Sequence, residues 1–371
     1  MGQIGEGFQE RNHLPLPSVR EMEEGNQTLV TEFLLLGLSD SADLQKFLFL
    51  IFLLIYSANV VGNVTIMLVI WTERGLHTPM YFFISILSFI DIFYSSTTVP
   101  KMFTNFLAVA QAISRQGCLA QMFFFHFLGS TEAMLLTLMG FDRYLAIFSP
   151  LQYPLLMTRP LCLALTCLIW SVGFFHSLLH AVLMSRVIFC RGRQVQHFFC
   201  DIAPLLKLAC SDVHINELLL FAVTGFLVLG CFSLTFLSYV LIVSAVLRIN
   251  SPDGRRKAFS TCAAHLTVVV IHYGCAGFMY LRPRSRHTLS QDRVVAVLYT
   301  AVTPLLNPLI YTLRNKEVKA AIKRADGPRG EPERAGQQDG REEALAPQSI
   351  LGGRSVGLGF IESHLLAPIY Y

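Results

Sequence analysis

The stretch Met139-Gly-Phe-Asp-Arg-Tyr-Leu-Ala-Ile147, which continues into Phe148-Ser-Pro-Leu-Gln-Tyr153, decides the fold of this chain. It places two charged residues, Asp142 and Arg143, at one end of a long apolar segment. Charged side chains at a membrane boundary are costly, and they mark functional positions. The stretch therefore predicts a membrane protein with a charged switch at one end of a helix.

The rest of the chain is apolar enough to lie largely in a membrane. Of its 371 residues, 53% are hydrophobic and only 15% are charged, whereas a soluble domain has about 25% charged residues. A membrane-spanning helix needs roughly 20 mostly apolar residues. Seven windows satisfy this requirement: about 44–71, 79–107, 118–147, 160–184, 214–248, 257–281 and 292–313. The predicted fold class is an all-α membrane protein, a seven-transmembrane helix bundle.

The bundle, residues 44–313, is flanked by segments of different composition. Residues 1–43 are polar and carry the N-glycosylation sequon Asn26-Gln-Thr28, which requires an extracellular N-terminus. Residues 314–324 alternate basic with apolar residues, which predicts a short amphipathic helix on the anionic lipid of the inner leaflet; a basic linker is the alternative. Residues 325–371 are predicted to form a disordered cytoplasmic tail.

Four cysteines indicate which face of the bundle is outside. Cys118 begins the third span, and Cys190, Cys200 and Cys210 lie between spans four and five, so all four are on the same face. Disulfides persist on the oxidising side of a membrane, which makes this face extracellular. Four cysteines allow three connectivities, and spacing alone does not choose among them.

Polar residues inside the spans predict a buried network. Asp91 lies midway in span two and Glu132 midway in span three, where an ionised carboxylate must face the bundle interior. Asn63 and Asn307 lie at a similar depth and are expected to join them through water or a bound cation. Two interpretations remain open, a static network that holds helices together and a switching or sodium-sensing role.

The inner ends of the spans offer a two-state element. Arg143 can pair with Asp142 while the bundle is closed, or turn toward Tyr239 and Tyr311 when the inner ends part. A snorkelling arginine at a helix end is the competing interpretation. Pro308 interrupts the hydrogen bonds of span seven and favours a bend there.

This set of features resembles the rhodopsin-like G-protein-coupled receptors, and within them the odorant receptors. The likeness covers residues 26–324. Besides the opening stretch, it is carried by Leu76-His-Thr-Pro-Met-Tyr-Phe-Phe83, His197-Phe-Phe-Cys-Asp201, Lys257-Ala-Phe-Ser-Thr-Cys-Ala-Ala-His-Leu266 and Pro304-Leu-Leu-Asn-Pro-Leu-Ile-Tyr-Thr-Leu-Arg-Asn315.

The resemblance implies disulfides between Cys118 and Cys200 and between Cys190 and Cys210. It implies that Arg143 is the G-protein switch, with Asp142 beside it and Tyr239 and Tyr311 as active-state partners. The implied partners are a small volatile odorant, membrane lipid and a stimulatory heterotrimeric G protein of the cyclic AMP pathway, at the plasma membrane. No nucleic acid, cofactor or metal is implied.

The resemblance also implies a ligand site within the spans. Tyr273, in a family Phe-Tyr-Gly position that reads His272-Tyr273-Gly274 here, is expected to sense the ligand from below. Phe125 stands where aminergic receptors place an acidic residue, so the expected ligand is small and neutral or weakly polar. The expected ligand-binding residues, with Ala133 and Ala276 beside them, are Phe125, His126, Gly129, Ser130, Val223, Thr224, Leu227, Tyr273, Gly277, Tyr280 and Thr300.

Departures from the family pattern concern the inner end and the termini. Gly140-Phe141 replaces the Ala-Tyr pair that is usual in the family, and Phe148 replaces the usual Cys. Both positions lie near the expected G-protein contact, so the replacements bear on the efficiency of coupling. Met22 would be a natural start, so residues 1–21 and the tail from 325 are expected to reflect an alternative start and end of the reading frame.

Other functions are alternatives to an odorant receptor. A non-olfactory receptor for a small neutral or weakly acidic metabolite is the nearest alternative. A channel or transporter would need a polar pathway, which spans four and five lack. An enzyme is disfavoured because the sequence shows no nucleophile–base pair or phosphate loop. A metal site built from Glu132 and His126, or from His197 and Asp201, is a minor alternative, because Cys200 is assigned to a disulfide.

Overall fold

The computed structural model describes residues 30–39, 41–107, 112–280, 289–314 and 318–322. Within these ranges it contains seven helices long and apolar enough to cross a membrane, which confirms the predicted fold class. Labelled in chain order, they are Ala42–Thr72 (α1), Pro79–Leu107 (α2), Arg115–Phe148 (α3), Arg159–Ser185 (α4), His214–Leu247 (α5), Pro252–Tyr280 (α6), and Leu289–Val297 with Leu298–Val302 and Thr303–Arg314 (α7).

One helix boundary differs visibly from the sequence prediction. α6 begins at Pro252 rather than at residue 257, so part of the predicted polar connection is helical. Proline is well accommodated in the first turn of a helix, where its missing N–H would have no partner. Asp253, in the same turn, is favoured by the positive end of the helix dipole.

Helix α3 is the central helix of the bundle. It contacts α2, α4, α5 and α6, and 67% of its most apolar window is buried inside the protein. The corresponding share for α1 is 17%, and large side chains such as Leu54 and Trp71 on that helix are more than 70% exposed. Exposed apolar surface of this extent is unfavourable in water, so these side chains face lipid.

Three short strands and the segment between α4 and α5 form a lid over the end of the bundle at which α3 begins. We call this end the disulfide face and the opposite end the Arg143 face. Strand β1, Glu32–Leu35, pairs antiparallel with β2, Ala112–Ser114, and parallel with β3, Gln194–Val195. The structure contains a Cys118–Cys200 and a Cys190–Cys210 disulfide. These elements enclose a second apolar core around Phe33 and Phe189, whose rings pack edge to face.

The strand β1 was not anticipated, since residues 1–43 were expected only to form a polar extension. Asn26 and the tail from residue 325 lie outside the described residues. Residues 318–322 are helical. Val318 and Ala321 are buried against the main core, and Lys319 is exposed.

Helices α3 and α4 approach each other closely at Gly173. A Cβ atom there would collide with Thr131 Oγ1 and would lie 3.2 Å from the carbonyl oxygen of Phe127 and 3.2 Å from Ser130 Oγ. Small residues permit such close helix packing in membranes.

Gly173→Ala is therefore expected to destabilise the protein by about 1–3 kcal/mol, because overpacking forces the two helices apart. The measurement is the midpoint of thermal unfolding in detergent. Gly230→Ala in α5 is the matched control, because a Cβ atom there would have no heavy atom within 4 Å. Equal midpoints for the two variants would contradict the assigned packing.

Candidate ligand-binding site and switch

A cavity lies inside the bundle on the disulfide side of Glu132. Residues of α2 to α7 line it, and the space open to the centre of a water molecule is about 30 Å³, which is on the order of one or two waters. A ligand must therefore be small or displace side chains on entry. The lining residues are Tyr94, Phe125, His126, Gly129, Ser130, Ala133, His176, Thr224, Leu227, Val228, His272, Tyr273, Ala276 and Tyr299.

The structure brings most of the expected ligand residues together. From α3, α5 and α6, the cavity includes Phe125, His126, Gly129, Ser130, Thr224, Leu227 and Tyr273, with Ala133 and Ala276. Val223, Gly277 and Thr300 are not among the lining residues. The side chain of Tyr280 lies outside the part of the chain that the structure describes.

Helices α5 and α7 each contain a π-helical turn. One turn covers Leu220–Thr224 and the other Leu298–Val302. In α5, Thr224, Leu227 and Val228 line the cavity at the regular helical spacing of three and four residues, and Val223 lies outside this series. In α7, Tyr299 lines the cavity, while the Thr300 hydroxyl donates to its own helix at Ala296 O, 2.8 Å away.

Sequence reasoning missed five lining residues, Tyr94, His176, Val228, His272 and Tyr299. A single aromatic residue or histidine in an apolar helix carries no signal that separates it from ordinary core. In the structure Tyr94 stacks on Phe125, with ring centroids 5.0 Å apart, and packs edge to face on Tyr299 at 5.5 Å. These rings form one apolar wall of the cavity.

The lid is joined directly to the cavity wall. Phe199 of the lid lies 4.7 Å from Phe125, measured between ring centroids. His126 Nε2 is 3.1 Å from Asp201 Oδ1, and both side chains are buried. The same Asp201 oxygen accepts a hydrogen bond from the backbone N–H of Ile202 and caps a short helix. His126 therefore contributes to the cavity and holds the lid against α3.

Two ionisable groups of the lid have shifted pKa values. Burial favours a higher pKa for Asp201, but the hydrogen bond and charge of His126 outweigh it and hold the pKa of that carboxyl below its usual range. Burial lowers the pKa of His197 to about 4. Asp201 is thus an anion and His197 a neutral imidazole at neutral pH.

A histidine–threonine–histidine chain forms another part of the wall. His176 Nε2 lies 3.1 Å from Thr224 Oγ1, which lies 3.2 Å from His180 Nε2. His176 is 7% exposed, and its Nδ1 atom is buried without a hydrogen-bond partner.

Below the cavity, two consecutive residues of α6 are clamped to two consecutive residues of α3. His272 Nδ1 is 3.1 Å from Glu132 Oε1, although the two atoms are not aligned as a hydrogen bond. The hydroxyl of Tyr273 donates to the carbonyl oxygen of Ala133 at 2.8 Å and lies 3.0 Å from Thr137 Oγ1. We call these two contacts the α3–α6 clamp.

The four residues expected to form one intramembrane network have separate partners, since Glu132 faces His272. Asn307 Nδ2 donates to both carboxylate oxygens of Asp91, at 3.0 and 3.1 Å. Asn63 donates instead to Asn59 Oδ1 and to the carbonyl oxygen of Pro304. Within the described ranges, no group of three or more His, Cys, Asp or Glu residues is arranged to hold a metal ion.

At the Arg143 face, Asp142 has a partner that the sequence did not indicate. Its Oδ1 accepts a hydrogen bond of 2.8 Å from the hydroxyl of Tyr153, in the connection after α3. Burial and the charge of Asp142 raise the pKa of Tyr153, so this phenol remains a donor. The ion pairs found among the described residues do not include one between Asp142 and Arg143.

Arg143 is 6% exposed, and its Nε atom has no hydrogen-bond partner. Its charge lies in electrostatic range of the phenols of Tyr239 and Tyr311, so these three of the four residues predicted for the switch lie near one another. The Tyr239 hydroxyl is engaged with His265 Nδ1 at 2.8 Å. The Tyr311 hydroxyl is buried without a hydrogen-bond partner.

A seven-helix membrane bundle with a lidded cavity at one end, and a buried arginine at the other end of its central helix, has the architecture of a G-protein-coupled receptor. Comparison with known proteins specifies the family. The family model described as "Olfactory receptor" matches residues 52–326. The chain belongs to the olfactory receptor family, whose members are signalling receptors and not enzymes.

Individual relatives match over nearly their full length. "Olfactory receptor 12D1" of Homo sapiens is 52% identical over 301 residues, which cover 81% of this chain and 94% of that protein. "Olfactory receptor 5AP2" of Mus musculus is 48% identical, over 83% of this chain and 97% of that protein. "Olfactory receptor 12D2" of Homo sapiens is 50% identical, over 81% and 98% respectively.

Proposed function

We propose that this chain is an odorant receptor that binds a small volatile compound in the cavity and activates a stimulatory heterotrimeric G protein, raising cyclic AMP. One observation supports the proposal above all: the cavity and the α3–α6 clamp share residues. His272, Tyr273 and Ala133 belong both to the cavity lining and to the clamp. A ligand that contacts them favours one arrangement of α3 and α6 over another, and both helices continue to the Arg143 face.

The lining supports a ligand that is mostly apolar. Apolar atoms make up most of the cavity surface, although the histidine, tyrosine, serine and threonine side chains of the lining also carry polar atoms. Pockets of this composition bind small molecules by apolar contact and use the polar groups to fix orientation. A volatile compound of low molecular weight fits this chemistry.

The proposed location is the plasma membrane, with the N-terminus and the disulfide face outside. Two disulfides support this orientation, because disulfides persist in an oxidising environment. At the opposite end, Lys319 is exposed on a helical turn whose Val318 and Ala321 pack against the bundle. Such a turn places its basic side chain where anionic lipid of the inner leaflet attracts it.

The test is a cyclic AMP assay in cells that display the receptor, with surface staining to verify display. Wild-type cells are expected to respond in a dose-dependent manner to one or more members of a broad panel of volatiles. Cells that display an unrelated seven-helix receptor at the same level are the control. Silence across the panel despite verified display would overturn the proposed function.

A further inference from the structure

We infer that His176 is the hydrogen-bonding anchor of the cavity, and that it selects neutral ligands bearing a single carbonyl or hydroxyl group. This inference rests on the proposed function, since it assigns the ligand chemistry of the same cavity. Buried polar atoms in folded proteins are nearly always hydrogen-bonded. His176 Nδ1 is buried without a partner in a residue that lines the cavity, so a ligand group is the partner that would satisfy it.

The other polar side chains of the lining already face a polar group within the protein, and of these His272 meets its partner, Glu132, without hydrogen-bond alignment. His126 faces Asp201, and Ser130 donates to Phe127 O. Tyr273 donates to Ala133 O. The remaining polar groups of the lining are engaged as follows: Tyr94 with Tyr299, His272 with Glu132, and Thr224 with His176 and His180.

The surroundings of the cavity disfavour an ionised ligand. Two carboxylates adjoin the cavity, and each already faces an imidazole: Asp201 faces His126 and Glu132 faces His272, both at 3.1 Å. A carboxylate or ammonium ligand would add a further charge to a buried site, which is costly unless that charge is paired. The preferred ligand is therefore neutral.

Thr224 allows His176 to act either as a donor or as an acceptor. The threonine hydroxyl has one proton to donate and lone pairs to accept, and it lies between the Nε2 atoms of His176 and His180. When Thr224 donates to His176, the neutral imidazole of His176 carries its proton on Nδ1 and offers a donor to a ligand carbonyl. When Thr224 donates to His180, His176 holds its proton on Nε2 and offers an acceptor to a ligand hydroxyl.

The test measures binding of five six-carbon probes to the purified receptor in nanodiscs: 2-hexanone, 1-hexanol, hexane, hexanoate and hexylamine. The ketone and the alcohol are expected to bind about three- to tenfold more tightly than the other three, which is the difference that one hydrogen bond of ordinary strength supplies. A preference for hexane, hexanoate or hexylamine, or no binding by any probe, would overturn the inference.

Two variants test whether His176 acts through its hydrogen bond to the ligand or through the packing of its side chain. His176→Gln places its amide near the former Nε2, so the contact with Thr224 is retained while Nδ1 is lost. It is expected to bind the ketone and the alcohol about three- to tenfold more weakly and hexane unchanged. Thr224→Val keeps the side-chain shape but removes the hydroxyl, and it is expected to change the ratio of ketone to alcohol affinity. Unchanged probe affinities in His176→Gln would overturn the assignment of His176.

The same probes distinguish failure of this inference from failure of the proposed function. A cyclic AMP response to hydrocarbons or to ionised compounds alone would leave the odorant-receptor function intact and overturn the role of His176. Tight binding of the ketone and alcohol, without any cyclic AMP response to them or to the broad panel, would support the anchor and overturn the proposed signalling.

Discussion

His272→Phe is expected to lower the free energy of unfolding by about 1–3 kcal/mol. The substitution removes the imidazole that faces Glu132 at 3.1 Å and leaves the carboxyl group, which is 2% exposed, without this polar partner. Removing one partner of a buried polar contact costs about this much, because the remaining polar group stays buried and unsatisfied. The measurement is the midpoint of thermal unfolding in detergent, converted with the unfolding enthalpy of the wild-type protein.

A double-mutant cycle tests whether the loss belongs to the pair. Glu132→Gln is expected to destabilise the protein as well, because it exchanges the carboxyl partner of His272 for an amide. Once that carboxyl group is gone, His272→Phe no longer leaves it buried without its partner. The double variant is therefore expected to be more stable than the sum of the single losses predicts, by about 0.5–3 kcal/mol.

His214→Phe is the matched control, because the same substitution is made at an exposed histidine at the start of α5. It is expected to shift the midpoint very little, since surface substitutions usually change stability by less than about 0.5 kcal/mol. Strictly additive effects of Glu132→Gln and His272→Phe would show that the two side chains are not coupled, and would remove the first contact of the α3–α6 clamp.

The helix bundle was predictable from the sequence because the membrane imposes a simple rule. Backbone polar groups inside lipid must be satisfied within each helix, so a long apolar run has one available structure. The windows read from the sequence therefore agree closely with the helices, for example 79–107 with Pro79–Leu107. The cysteines were equally informative about the face they share, although their pairing came only from the family resemblance.

The lid was predicted only in part. The long segment between α4 and α5 was recognised, but β1, at Glu32–Leu35, was not. Its pairing with β2 and β3 joins residues far apart in sequence. Strands of two to four residues are too short to show an alternating pattern of their own. Such pairing depends on which segments the folded bundle brings together.

The residues that line the cavity were also predicted only in part. Helical spacing correctly grouped Phe125, Gly129 and Ser130 on one face of α3, because that helix is regular. Val223 in α5 was expected beside Thr224 and Leu227 but does not line the cavity, because Thr224, Leu227 and Val228 form the inward face at regular helical spacing. The sequence of α5 is apolar on all sides, so it does not show which of these neighbouring residues faces the cavity.

Arg143→Ala is expected to reduce the agonist-stimulated cyclic AMP response to the level of cells without the receptor, while surface display stays unchanged. Arg143 lies near the end of α3, with Tyr239 of α5 and Tyr311 of α7 in electrostatic range. Its Nε atom and the Tyr311 hydroxyl are both buried without hydrogen-bond partners. Unpaired buried donors are costly, so a rearrangement that pairs them is favoured.

The position of Arg143 explains why its substitution is expected to change signalling and not the contacts made with the ligand. The lining of the cavity comes from residues nearer the disulfide face, and Arg143 is not one of them. Binding of an agonist to the purified Arg143→Ala variant, followed as a shift in the unfolding midpoint, is therefore expected to be retained, and to weaken only as far as the substitution lowers the population of the arrangement that the agonist prefers. An interaction made only in the signalling state changes the population of that state without changing contacts to the ligand.

Arg159→Ala is the matched control, because it removes the same charge from the same face of the bundle at an exposed position that begins α4. Its dose–response curve is expected to follow that of the wild-type receptor. A loss of signalling in both variants would indicate that the positive charge of this face, and not the buried arginine, is required. A full response from Arg143→Ala would show that the switch does not depend on this side chain, because the groups at Tyr239 and Tyr311 would then rearrange without it.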